Sequence, residues 1–197
     1  AEELSRTDVL VLYAAEGGTL DPAQRANLDA YLVRGGGIVA LHDAVCGNDA
    51  HWFKTIIGGA WEHGHSKWHM GKVGLYMEMA EHPITLGIPH FDLTDEIYHD
   101  LHLDEDTQVL ANSFHTPFDV TPQLWTLERD NYRAFVSLQG HYHTTFSHPA
   151  WQAILLRGIA WAGNREADLF LTASELDSLR YPPGGPKRPE EALDSFE

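Results

Sequence analysis

The apolar positions of this chain fall into short blocks separated by glycine, proline and acidic residues. Asp8 to Ala15, DVLVLYAA, is a continuous apolar run rich in β-formers and predicts a buried parallel strand. Glu16-Gly17-Gly18-Thr19 then predicts a loop. Thr19 or Asp21 can cap the next helix, with Pro22 in its first turn and Leu20, Leu28, Tyr31 and Leu32 as anchors. Gly35-Gly36-Gly37 ends that helix, and Ile38 to Leu41 predicts the next strand. Strand, helix and strand at this spacing form a right-handed βαβ unit. Asn48 or Asp49 can cap a second helix, which carries Trp52, Phe53, Ile56 and Ile57 and stops at Gly58-Gly59.

Beyond this point the periodicity weakens. Trp61 to Met70 reads as a loop, and Lys72 to Met79 alternates as a half-exposed strand, a candidate antiparallel extension. Phe91 to Asp106 is a strongly acidic run, Thr107 to Ala111 a strand, and Thr116 to Arg129 a long loop holding Pro117 and Pro122. Arg133 to Leu138 predicts a strand. Ser147 can cap a helix with Pro149 as its second residue and Gly163 at its end, and Leu176 and Leu179 fit a short final turn. The whole reads as one α/β domain over residues 1–180, built on a mostly parallel open sheet with helices on both faces. Residues 181–197, PPGGPKRPEEALDSFE after Tyr181 is counted with them, read as a flexible linker or tail.

Composition narrows the function. The chain of 197 residues is 43% hydrophobic, enough for a sizeable core, and its formal net charge is -16. That charge makes nucleic acid and anionic membrane poor partners, and no apolar run is long enough to span a bilayer. Cys46 is the single cysteine, which excludes an intrachain disulfide and a cysteine zinc cluster. Histidine is abundant instead: thirteen residues, as many as Lys plus Arg together. Imidazoles titrate near neutrality and ligate metals.

Four positions carry the candidate chemistry. His42 ends the second strand, His63 follows Gly58-Gly59, Glu96 precedes Tyr98, and His141 follows the last strand, with His143 close behind. In a parallel sheet the carboxyl ends of the strands share one crevice, where these groups can converge. Histidines with one carboxylate suit zinc or another first-row divalent ion, although no compact motif such as HExxH supports it. The competing readings are ordinary ones: a strand-end histidine bonded to backbone for His42, a surface loop group for His63, and a solvated acidic face for Glu96. His65 and His69 read as solvated or as supports to a site, and the remaining histidines receive no role. Trp61, Trp68 and Tyr98 can stack on a sugar, with core packing as the default, and Asp43 can orient a histidine. Cys46 lacks the tight turn of a nucleophile elbow and is not read as a nucleophile.

These pieces resemble the ThuA-like, or trehalose-utilisation, proteins. The resemblance rests on GGGIVALHDA at 35–44, WFKTIIGGAWEHGH at 52–65, EHPITLGIPHFDLTDEIYH at 81–99 and QGHYHTTFSHPAWQAILLRGIAWAG at 139–163. It implies a class I glutamine amidotransferase-like (flavodoxin-like) fold, of which the first strand-helix unit is missing here. The family's strand-end histidine falls on His42, its histidine after Gly-Gly on His63, its Asp-Glu-x-Tyr element on Asp95, Glu96 and Tyr98, and its Gly-His on Gly140-His141. By resemblance, His42, His63, Glu96 and His141 hold a divalent metal, while His42, Glu96, His141, His143 and Tyr98 carry catalysis. The implied activity is a lyase or hydrolase acting on 3-keto sugars or glycosides. The alternative is a non-catalytic carbohydrate-binding or scaffold domain. The tail resembles linkers that join such domains to dehydrogenase and cytochrome domains, which implies a periplasmic or secreted bacterial polypeptide that continues past residue 197.

Overall fold

The computed structural model describes residues 2–116 and 119–180, so the expected tail at 181–197 lies outside the described residues. Among the described residues nine strands are assigned: β1 Val9–Leu12, β2 Gly37–Leu41, β3 Gly59–Ala60, β4 Lys67–Met77, β5 Phe91–His99, β6 His102–Leu103, β7 Gln108–Thr116, β8 Asp119–Glu128 and β9 Arg133–Ser137. The α-helices are α1 Pro22–Val33, α2 Ala50–Ile57, α3 Pro149–Ala162 and α4 Ala173–Arg180. A seven-stranded sheet runs β1-β2-β9-β8-β7-β4-β5, and β3 pairs with β6 in a separate ribbon.

The pairing overturns the expectation of a mostly parallel open sheet. β1, β2 and β9 are parallel, but β9–β8, β8–β7, β7–β4 and β4–β5 are all antiparallel. The sheet also curls into a half-barrel. β4 pairs with β5 from Lys67 to Leu75 and with β7 at Tyr76 and Met77. The curl brings β5 back over β8, where the Tyr98 carbonyl accepts hydrogen bonds from Thr121 Oγ1 at 3.0 Å and Gln123 Nε2 at 2.9 Å. The flavodoxin-like expectation fails with it, because half of the sheet is built from neighbouring strands that run back and forth.

Two segments explain the misreading. The loop expected at 116–129 is mostly strand β8, whose residues Thr121 to Leu127 are almost all buried. Pro122 is accommodated where the β7–β8 register shifts, opposite Asn112, so its missing N–H costs little. The acidic run contains β5, and its Asp95 and Glu96 are buried at 0% and 6% exposure. The loop expected at 61–70 gives way to β4 at Lys67.

The parallel part follows the residues more closely. All five residues of β2 are buried because helices cover both faces, which is why it reads as a continuous apolar run. β1 is shorter than expected and lies half-buried at the sheet edge, with Val11 exposed. Asp21 caps α1 in a capping box with Gln24, and Asp49 caps α2 through Trp52 N at 3.0 Å. Gly58 ends α2 with φ 89°. The cap of α3 is His148 rather than Ser147, without a side-chain bond. One core lies between the sheet and α3, around Trp151, Ile154, Phe135 and Leu110. The other lies under α1 and α2, around Leu28, Phe53, Ile57 and Trp125.

Trp125, fully buried on β8, donates its indole N–H to the Ile57 carbonyl at 2.9 Å, and so ties the end of α2 to the sheet. Trp125→Phe removes that donor and part of the ring. It should destabilise the fold by about 2–4 kcal/mol, combining an orphaned carbonyl with a small cavity. An unchanged urea midpoint would show that this tie contributes nothing.

Candidate functional site

The site begins at the carboxyl ends of β2 and β9. The chain leaves β2 at His42 with φ 55°, a left-handed conformation that costs a non-glycine residue about 1–3 kcal/mol. The turn drives the imidazole inward, where it is 6% exposed. Its Nδ1 lies 3.2 Å from the Leu138 carbonyl and 3.3 Å from the Tyr98 hydroxyl. A carbonyl only accepts, so the neutral imidazole holds its proton on Nδ1 and turns the Nε2 lone pair toward Glu96.

After β9 the chain turns at Gly140, φ 145°, where a Cβ would sit 3.3 Å from that of His42. Tyr13 holds this turn by donating to the Gly140 carbonyl at 2.7 Å. The turn sets His141 beside His42, with ring centroids 5.4 Å apart.

Glu96 arrives from the far edge of the sheet. Four strand spacings separate β5 from β9 in the sheet order, about 19 Å if the sheet were flat. The curl closes that gap: Glu96 Oε1 is 3.3 Å from His141 Nδ1 and Oε2 is 3.8 Å from His42 Nε2. The neighbouring carboxylate secures the closure. Asp95, fully buried, accepts from Gly140 N and His141 N at 3.1 Å each, from Glu96 N at 2.8 Å, and from the Thr145 hydroxyl.

One donor atom from each of His42, Glu96 and His141 lies within 4.8 Å of the others. Tetrahedral zinc with bonds near 2.0–2.1 Å needs donors about 3.3 Å apart, so small side-chain movements suffice. Two imidazoles and one carboxylate are the donor set of an open, three-ligand site. A second group, His51, Glu62 and His102, meets the same distance criterion. Both groups are geometrically compatible with a metal ion.

Glu96 and His141 of the first group line a cleft of about 350 Å³ together with Glu16, Trp61, His63, Trp68 and Tyr98, and His42 is buried behind them. His63 is at this cleft but not in the three-residue cluster. It is exposed, and its Nε2 lies 2.6 Å from Glu16 Oε1. His143 stands on the exposed turn beyond His141, outside the cleft lining. Tyr98 donates to Asp43 Oδ1 at 2.5 Å, and burial first, then this carboxylate, push its phenol well above the usual range. It remains protonated and orients Asp43 and His42. Burial likewise pushes the Cys46 thiol up to about 12, aided by Asp43, Glu16 and Glu96, so almost no thiolate exists at neutral pH. Among the described residues, the hollow of about 700 Å³ between α1 and the β8–β9 turn is lined by no histidine.

Sequence reasoning gave Asp95 no role of its own, and it overlooked Glu16. The signal for Asp95 was present. Leu93, Asp95 and Ile97 share one face of β5, and Glu96 and Tyr98 share the other. A carboxylate flanked on its own face by two buried apolar residues belongs to the interior. Asp95→Asn turns one acceptor into a donor facing N–H groups. It should cost about 1–3 kcal/mol and speed amide exchange at Gly140 and His141 at least tenfold. Unchanged exchange at those two amides would contradict the positioning role.

The fold has solved counterparts. A ThuA-like protein from Parabacteroides merdae superposes with TM-score 0.67 at 20% identity, covering 83% of this chain and 73% of that one. A ThuA-like protein from Bacteroides uniformis gives 0.66 at 22% identity, covering 82% and 71%. A β-galactosidase from Rahnella sp. R3 gives 0.54 at 12% identity over 76% of this chain but 22% of its own. Comparison with curated proteins finds no match. The family model for ThuA, trehalose utilisation, matches residues 1–162, a span that holds β1 to β9, α3 and every member of the cluster. The chain belongs to the ThuA family.

Proposed function

We propose that this domain is a metal-assisted lyase or hydrolase of 3-keto sugars or glycosides, with His42, Glu96 and His141 as ligands of zinc or another first-row divalent ion. The observation that carries the reading is the convergence of these three donors, from distant parts of the chain, at a cleft that Glu96 and His141 line together with two tryptophans. The family's description as trehalose utilisation supports a sugar substrate. When bound, the ion would polarise a 3-keto group and stabilise the enediolate formed from it.

The protein's own groups account for the remaining chemistry. Trp61 and Trp68 offer apolar faces for the sugar ring. His63, with Nε2 on Glu16, keeps Nδ1 as a second proton position and suits a carrier that takes the C2 proton. Breaking C2–H and C1–O then releases the aglycone, which takes up a proton, and addition of water completes net hydrolysis. His143, exposed beyond His141, is the candidate donor of the proton that the aglycone takes up. Tyr98 holds Asp43 and His42 in place.

A second reading is a carbohydrate-binding domain without turnover. The observation favouring it is Trp68, 54% exposed at the cleft, as a platform open to solvent.

Cleavage of a 3-keto-glucoside by zinc-loaded and chelator-stripped protein tests the reading. Activity should need the metal. His42→Ala, Glu96→Gln and His141→Ala should each lower kcat at least 100-fold, His63→Ala about 10–1000-fold, and Cys46→Ala hardly at all. Full turnover by the His42→Ala/His141→Ala double variant would refute the proposal. Sugar binding with no product would select the second reading.

A further inference from the structure

A second histidine cluster lies outside the site just described. Trp61 and His63 line the cleft, whereas Glu62 between them faces His102, with Oε2 2.5 Å from the His102 Nε2. His51, in the first turn of α2, has its ring centroid 4.5 Å from that of His102. His65 stacks on His102 at 4.8 Å with the ring planes 23° apart. The donor atoms of His51, Glu62 and His102 all lie within 4.8 Å of one another.

Three elements supply these groups, and the backbone fixes each. β3 and β6 pair Ala60 with His102, which places Glu62 two residues past the ladder. The Ser66 hydroxyl accepts from Glu62 N at 3.1 Å and donates to the Asp100 carbonyl at 2.8 Å. This closes the 62–66 turn against the start of β6. Asp49 caps α2 and sets the position of His51.

A surface histidine–carboxylate pair alone contributes little to stability. It leaves unexplained why three imidazoles gather around one carboxylate. When protonated they repel one another, and when neutral they share a single acceptor. A divalent ion satisfies all of them at once, and nitrogen-rich donors select first-row transition metals over magnesium or calcium.

We propose that His51, Glu62 and His102 form a second, peripheral site for a first-row divalent ion, with His65 in reach as a fourth ligand. The ion fastens the segment Trp61–Ser66 to α2 and β6. Because Trp61 and His63 lie on that segment, occupancy stiffens one wall of the cleft. The site shares no ligand with the His42 cluster and stands independently of the activity assigned to it.

Equilibrium dialysis of chelator-stripped protein against zinc, with cobalt absorption as a second probe, tests the assignment. The wild type should bind two ions, and His42→Ala/His141→Ala should keep one. His51→Ala/His102→Ala should lose the other, with single His51→Ala weakening it at least tenfold. Zinc should slow amide exchange over 61–66 in the His42→Ala/His141→Ala variant but not in His51→Ala/His102→Ala. If the first site does not bind metal, the wild type binds one ion and His51→Ala/His102→Ala none, and the second site still stands. Unchanged stoichiometry and affinity in both His51→Ala and His51→Ala/His102→Ala would overturn it. His51 is exposed on α2, so its substitution leaves the core intact.

Discussion

The buried carboxylate of Asp95 joins the two halves of this molecule. It sits on the curled-back edge strand and takes the backbone N–H groups of Gly140 and His141, which follow the last parallel strand. A carboxylate excluded from water is costly unless its lone pairs are filled, and here four donors fill them. The bonds set where β5 ends relative to β9. With β5 so placed, Glu96, on the opposite face of the strand, meets His42 and His141. The positive φ of Gly140 and the left-handed turn at His42 are the local conditions for the same meeting.

The curl of the sheet is therefore a functional requirement as well as a packing solution. A flat sheet in this strand order would leave Glu96 far from the parallel strands. The half-barrel brings a carboxylate from an antiparallel strand to the place where parallel strands present their histidines. The register shift beside Pro122 contributes, since Gln123 sends its side chain to the Tyr98 carbonyl and also accepts from Gln139. Tyr98 in turn connects this buried polar chain to Asp43 and His42. The cleft's polar groups are held from behind, which limits their movement without contact with any ligand.

Much of the local structure was legible from the residues. The capping of α1 and α2, the glycine after α2, the buried run of β2 and the amphipathic α3 all follow short-range rules. His42 and His141 could be singled out because polar groups after buried strands are uncommon, and Glu96 through the Asp-Glu-x-Tyr element of the family resemblance. Pairing was not legible. Alternation and apolar runs report how many faces of a strand are covered, not which neighbour it takes or in which direction. Two strands were hidden for specific reasons: Pro122 suggested a loop in β8, and acidic residues suggested a solvated face in β5. In both cases tertiary contacts override the local signal, through a register shift in one and four donors to Asp95 in the other. The partnership of His63 with Glu16 was also out of reach, because it depends on how two loops meet.

The central claim is that His42, Glu96 and His141 together hold a divalent ion. Anomalous diffraction at the zinc edge, from crystals grown with saturating zinc, tests it most directly. The account predicts a peak bonded to His42 Nε2, His141 Nδ1 and a Glu96 carboxylate oxygen at about 2.0–2.2 Å. The absence of a peak there, with zinc density found elsewhere in the same crystal, would contradict it.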